Sequence, residues 1–287
     1  MAKHIRVSGK LNRSYGGNLI IFIMLVLVGL FMGLPLFYNI VSAFKQPSEL
    51  FIFPPRFYVS DPTLSNFTQL FQLATNLTVP FNRYLFNSIF VSIASTALCV
   101  LIGALAAYPF AKKDFPGKKM LWNLIMMTLL FSGGVTSLPS YIVKAKLGLI
   151  NTYWVLILPS IASTLQMFLM RQFMLQIPDS LLEAARIDGA SEFKTFLTIV
   201  MPNVKPAWLT VMVLAFTGIW NTGSNGVIFE ESLKLLPSAL SQISAGGIAR
   251  TGVTAAATLL LMIPPILAFV VTQSKMLQTM AHSGIKE

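Results

Sequence analysis

Charge is what this sequence has least of. Only 11% of its 287 residues are charged, 21 Lys and Arg against 10 Asp and Glu, while 55% are hydrophobic. A soluble domain carries about a quarter charged residues, so this chain cannot build a water-facing surface. The same figures exclude disorder, whose signature is low hydrophobicity. One cysteine, Cys99, excludes a disulfide framework, and two histidines, His4 and His282, leave almost nothing for metal or base chemistry. A phosphate cradle is missing too: Gly9-Lys10 is followed by Leu11, and Gly117-Lys118 by Lys119. What is left is an all-α, polytopic membrane protein, and its formal net charge of +11 needs a reason.

Charge-free stretches locate the spans. A bilayer core of about 30 Å needs about 20 mostly apolar helical residues. Seven stretches of that length lack Asp, Glu, Lys, Arg and His: 14–44, 62–82, 84–111, 120–143, 147–170, 206–229 and 251–274. The second is rich in Thr, Asn, Gln and Pro and reads as a loop. Six transmembrane helices are therefore expected, near 19–42, 84–110, 120–138, 151–171, 207–225 and 253–274. They form one membrane domain over 19–274, between an N-terminal segment 1–18 and a tail 275–287.

Basic residues orient the spans. Lys3, Arg6, Lys10 and Arg13 precede the first; Lys112, Lys113, Lys118 and Lys119 separate the second and third. Arg171, Arg186, Lys194 and Lys205 separate the fourth and fifth, and Lys275 and Lys286 lie in the tail. Those fourteen fall on one side, and Lys45, Arg56, Arg83, Lys144, Lys146, Lys234 and Arg250 on the other. Both termini are thus expected in the cytoplasm. The apolar run from Leu19 to Val41 exceeds a signal-peptide core of about 7–15 residues, so an uncleaved first helix is expected despite the small residues Val41-Ser42-Ala43.

No carboxylate or histidine lies in any span, which argues against proton-coupled transport, where a titratable group must carry the proton. A sodium-coupled carrier working through carbonyls and hydroxyls stays open, as does a membrane scaffold without a pathway. Uncharged polar and aromatic residues do occur in the spans. Asn87, Asn123, Gln166, Trp220 and Asn221 are candidate pathway residues, able to bond sugar hydroxyls or stack on sugar faces. The competing role for each is bonding between helices, the usual use of such residues in membrane bundles.

The segment 176–206 is the most informative. Pro178-Asp179-Ser180 reads as a helix start, with Ser180 and Glu183 spaced as a capping box. The helix should run from Leu181 to Asp188 and stop at Gly189. A second should begin near Ser191, with Phe193, Phe196 and Val200 at helical spacing. Ala184 and Ala185 suggest a face of little bulk on which another protein can sit, with Glu183, Arg186 and Asp188 around it. The alternative is an amphipathic helix resting on lipid.

Glu183-Ala184-Ala185, three residues, Gly189, nine residues, Ile199, one residue, then Met201-Pro202 resembles the EAA loop of binding-protein-dependent ABC importer permeases. The family pattern ends in Leu-Pro, so Met201 departs from it. The resemblance extends over most of the chain and is similar to the maltose-type sugar permeases, the MalG-like subunit. It includes 87–96 (NSIFVSIAST), 131–159 and the terminal MAHSGIKE. The SGG and MAHSGIKE stretches look like a branch associated with complex oligosaccharides in Gram-positive bacteria.

The resemblance implies the ABC type I importer permease fold in a bacterial cytoplasmic membrane. It implies a non-catalytic subunit whose cytoplasmic loop couples to separate ATPases. Glu183, Ala184, Ala185, Arg186, Asp188 and Gly189 would be the docking residues. The implied partners are a second homologous permease, two ATP-binding subunits that hold ATP and Mg, an extracytoplasmic solute-binding lipoprotein, and a carbohydrate. It also implies that the outer loop 226–250, with Leu236, Pro237, Gly246 and Gly247, meets the binding protein. No metal or cofactor is expected in this chain, and no nucleic-acid partner; lipid surrounds it.

Overall fold

The computed structural model describes residues 15–131 and 133–283. Lys3, Arg6, Lys10, Arg13 and Lys286, part of the charge argument, lie outside the described residues. Among the described residues every regular element is helical.

Helix α1 (Tyr15–Ala43) is apolar on all sides and exposed along most of its length. Only its C-terminal end enters the bundle, where Val41, Ser42 and Ala43 are buried. The stretch read as a loop over 62–82 contains α2 (Ser65–Thr75). Its Asn66, Leu70 and Ala74 recur every fourth residue and turn inward, while Thr68, Gln69 and Gln72 face out. Eleven residues rise about 16 Å, too little to cross a bilayer. Asn66 bonds the end of α1 through Nδ2, which donates to the carbonyls of Ala43 (2.9 Å) and Lys45 (2.8 Å).

Helix α3 (Phe81–Lys112) is the centre of the bundle. Its buried face is mostly small residues, including Ser88, Ser92, Ser95, Gly103, Ala104 and Ala107. Small side chains let neighbouring backbones approach closely, and α6 (Trp154–Ile161), α7 (Thr164–Leu175) and α10 (Lys205–Trp220) pack most extensively on α3. Between α3 and α6 lie α4 (Lys118–Met127) and α5 (Gly133–Lys146). The continuous helix expected over 120–138 is not formed; Lys118–Leu130 and Gly133–Lys146 meet at a bend of 110°. The break falls just before Gly133-Gly134, which open α5, and paired small flexible residues are a usual accompaniment of sharp kinks.

Helix α8 (Asp179–Ile187) and α9 (Glu192–Asn203) form the loop before α10. The junction of α9 and α10 bends by 81°. The helix expected over 207–225 ends early, at Trp220. There Asn221 Nδ2 donates to the Thr217 carbonyl and Thr222 Oγ1 to Gly218, local bonds that compete with helix propagation. Helix α11 (Leu236–Ser244) and α12 (Thr251–Ser283) complete the chain. Among the described residues four helical stretches are long and apolar enough to cross a membrane, or up to six if each bent pair counts as one span.

Two apolar clusters hold the two ends. One joins Phe196, Val200 and Leu182 of the α8–α9 loop to Tyr108, Met170, Met174 and Ala207. The opposite one joins Leu70, Tyr84, Trp220, Leu236, Leu240 and Val253.

Candidate functional site

Helix α8 starts at Pro178, its N-cap, and no side chain caps it. The capping box expected from Ser180 and Glu183 is absent for a simple reason. The helix begins two residues earlier than expected, so Ser180 is its second residue and Glu183 its fifth, out of register for the box. Asp179 in the first turn binds Lys112 Nζ at 2.7 Å instead.

The C-terminal stop is a full Schellman turn. Gly189, at φ +78°, donates to the Arg186 carbonyl at 3.0 Å, and Ala190 to Ala185 at 2.9 Å. Ser191 then caps α9, accepting the Lys194 N–H at 3.3 Å. A π turn over Phe196–Val200 follows, and Phe196 packs against Tyr108 with ring centres 5.5 Å apart.

The paired alanines do not share a face. Successive residues on a helix point about 100° apart, so Ala185 turns inward with Leu182 while Ala184 faces out. The exposed crest holds Glu183, Ala184, Arg186, Ile187, Asp188 and Gly189. Ile187 is 87% exposed, and Phe193, stacked on Phe196, is 61% exposed. The sequence pattern did not single out Ile187 and placed Phe193 only as a helical-face residue of the second loop helix. Large apolar side chains standing free on a short polar helix are what a protein groove buries.

The loop is also tied to α3. Lys112 bonds Asp179 and the Ile177 carbonyl. Glu192 receives the Tyr108 hydroxyl at 3.1 Å, pairs with Lys113, and stands 3.3 Å from Arg186. Lys113 holds the Glu192 carboxyl below the usual carboxylate range, and Lys112 does the same for Asp179. The Lys113–Glu192 and Arg186–Glu192 pairs are largely exposed and contribute little singly, whereas the Lys112 side chain is buried and joins α3 to the start of α8.

The candidate pathway residues scatter. Asn87 is fully buried: its Nδ2 donates to the carbonyls of Ser232 (2.8 Å) and Lys234 (2.9 Å), and its Oδ1 accepts the Tyr153 hydroxyl. Every polar atom of its side chain is engaged, so it is a clamp rather than pathway lining. Trp220 is buried as well, its indole donating to Leu261 at 2.9 Å. Gln166 is half-buried and accepts from the Cys99 thiol. Asn123 and Asn221 are exposed. A groove of about 670 Å³ between α3, α10 and α12, lined by Thr96, Val100, Trp208, Met212, Phe216 and Val271, includes none of the five.

Of the residues expected to meet the binding protein, Gly246 and Gly247 are exposed and Pro237 half-buried. Leu236 is 4% exposed and sits in the core, its N–H donating to Ser88 Oγ at 2.7 Å. It cannot touch a partner as it stands. Asn151 was not foreseen: at φ 63°, its Oδ1 accepts the N–H groups of Phe229 and Glu230. Asn is enriched at such left-handed positions, the one local signal available.

The family model described as "Binding-protein-dependent transport system inner membrane component" matches residues 17–278. The chain belongs to this family. Members are components of the inner membrane, and several apolar helices make this chain a multi-pass one. Protein LplC of Bacillus subtilis is 35% identical over 70% of this chain and 66% of its own length. The arabinooligosaccharides transport system permease protein AraQ of Halalkalibacterium halodurans is 28% identical over 88% of this chain and 90% of its own. The polygalacturonan/rhamnogalacturonan permease YtcP of B. subtilis is 29% identical over 74% and 72%. Among solved structures, a chain of a bacterial ABC transporter importing the acidic polysaccharide alginate superposes with a TM-score of 0.71 at 22% identity. The match covers 91% of this chain and 98% of that one, and shows that the family member has the ABC importer permease fold.

Proposed function

We propose that this chain is one permease subunit of an ATP-driven, binding-protein-dependent importer of oligosaccharides. Two separate ATPases hold ATP and Mg, a second homologous permease completes the pathway, and a solute-binding lipoprotein delivers the sugar. The α8–α9 loop faces the cytoplasm and seats Glu183, Ala184, Arg186, Ile187, Asp188 and Gly189 in an ATPase cleft. The turn at 246–247 faces outward toward the binding protein.

The exposed crest of α8 carries the reading: an unpaired apolar side chain, Ile187, beside a rigid Schellman stop in a helix tied to the bundle. Relatives whose names specify polygalacturonan, rhamnogalacturonan or arabinooligosaccharides support the substrate class. A bare α1, exposed over nearly its whole apolar length, supports a second membrane subunit.

The test is ATP hydrolysis by the reconstituted complex, with and without its binding protein, across pectic, arabino- and malto-oligosaccharides. Stimulation by a subset of these is expected. Gly189→Trp or Glu183→Lys should insert normally yet uncouple hydrolysis from transport. Normal transport in Gly189→Trp would remove the docking assignment.

A further inference from the structure

Helix α3 is gripped at both ends by different loops. At one end its first two turns hold the segment 231–236. Arg83 Nε donates to the Ser232 carbonyl (3.2 Å), Tyr84 to Glu231 (2.8 Å), and Asn87 to Ser232 and Lys234, while Ser88 accepts from Leu236. At the other end Tyr108 and Lys113 hold Glu192, and Lys112 holds Asp179 and Ile177. Between Ser88 and Tyr108 lie twenty residues' rise, about 30 Å of helix.

The middle of α3 is held differently. Ser92, Ser95 and Thr96 are buried, yet their hydroxyls bond to no other group. Among the described residues the polar link there is the Cys99 thiol donating to Gln166, and a thiol is a weak donor. Polar locks therefore fix the ends while the middle has small side chains and loose polar contact. Helix α3 thus joins its two loops through polar bonds, while small side chains line its contact with α7 and α10.

We propose that α3 is a transmission strut. It carries the binding-protein signal from the loop containing 231–236 to the α8–α9 coupling loop, with Asn87 and Lys113 as positioning residues at its two ends. This deepens the function proposed above and rests on it.

The test uses the complete complex in proteoliposomes, with the binding protein loaded from a mixture of pectic, arabino- and malto-oligosaccharides. Asn87→Ala, Tyr153→Phe and Lys113→Ala should each keep basal ATP turnover and affinity for the binding protein. Each should lose roughly two- to thirtyfold in stimulation by the loaded binding protein, the range for substitutions along a coupling route. The double variant Asn87→Ala with Lys113→Ala should be no worse than the worse single variant, because both act on one element. Tyr153→Phe removes only a hydroxyl, so it keeps the test alive if Asn87→Ala does not fold.

Undiminished stimulation in Tyr153→Phe and Lys113→Ala overturns the strut and leaves the importer reading standing. Losses that multiply in the double variant also overturn it, since they mean two independent routes. A wild-type complex that the loaded binding protein does not stimulate overturns the importer reading, and the strut with it.

Discussion

Gly252 and Gly189 are both glycines, and the structure asks opposite things of them. A Cβ on Gly252 would stand 2.3 Å from Asn66 Oδ1 and 2.7 Å from its Cγ. Asn66 cannot step aside, because its amide holds the carbonyls of Ala43 and Lys45 and is almost wholly buried. Gly252→Ala should therefore cost about 1–3 kcal/mol, the overpacking range, and lower the melting temperature in detergent. Gly252→Ala combined with Asn66→Ser should recover part of the loss by making room; no recovery would mean the strain lies elsewhere. At Gly189 a Cβ meets nothing within 4 Å, so only the left-handed backbone resists, at about 1–2 kcal/mol. Gly189→Ala should weaken ATPase stimulation and lower melting no more than Gly252→Ala does, and Gly189→Asn should do both less. A stop at Gly189 was legible in the sequence because the rule that places it is local. The closeness of Gly252 to Asn66 was not, because it joins residues 186 positions apart.

At the scale of elements, hydropathy gives lengths but not directions. The stretch 120–143 is free of charge throughout, so it reads as one span although the chain turns by 110° within it. As a single straight helix, 118–146 would measure roughly 42 Å end to end. Bent as it is, its ends approach to roughly half that distance. Spin labels at Lys118 and Lys146 should report the shorter separation in nanodiscs, and the longer one would restore the straight span. The same limit explains Asn87 and Trp220. Both were legible as polar or aromatic residues in apolar helices, but whether they face a route or a neighbour depends on partners far along the chain. The carbonyls of Ser232 and Lys234 claim Asn87, and Leu261 claims Trp220. The amphipathic α2 was hidden for a related reason: its inward face is only Asn66, Leu70 and Ala74, too few apolar residues to stand out.

For the whole molecule, the excess of 21 basic over 10 acidic residues becomes a statement about sides. The α8–α9 loop and the segment 112–119 share one end of the bundle, through Lys112, Lys113, Asp179 and Glu192. The 231–236 segment sits at the opposite end of the 32-residue α3. By the sequence-wide count, fourteen of the 21 basic residues belong to the first side, and on the positive-inside rule we propose that this end faces the cytoplasm. Cys99 is the one cysteine and is buried, so a Cys99→Ser background leaves single introduced thiols unambiguous. A cysteine at Ile187 should react with a membrane-impermeant reagent in inverted vesicles and stay unreacted in intact cells. A cysteine at Gly247 should do the reverse. Labelling of both from one side would undo the orientation, and with it the placing of the α8 crest on the ATPase side. Protection of the Ile187 thiol when the ATPase is bound, with Gly247 unaffected, would tie that same crest to its partner.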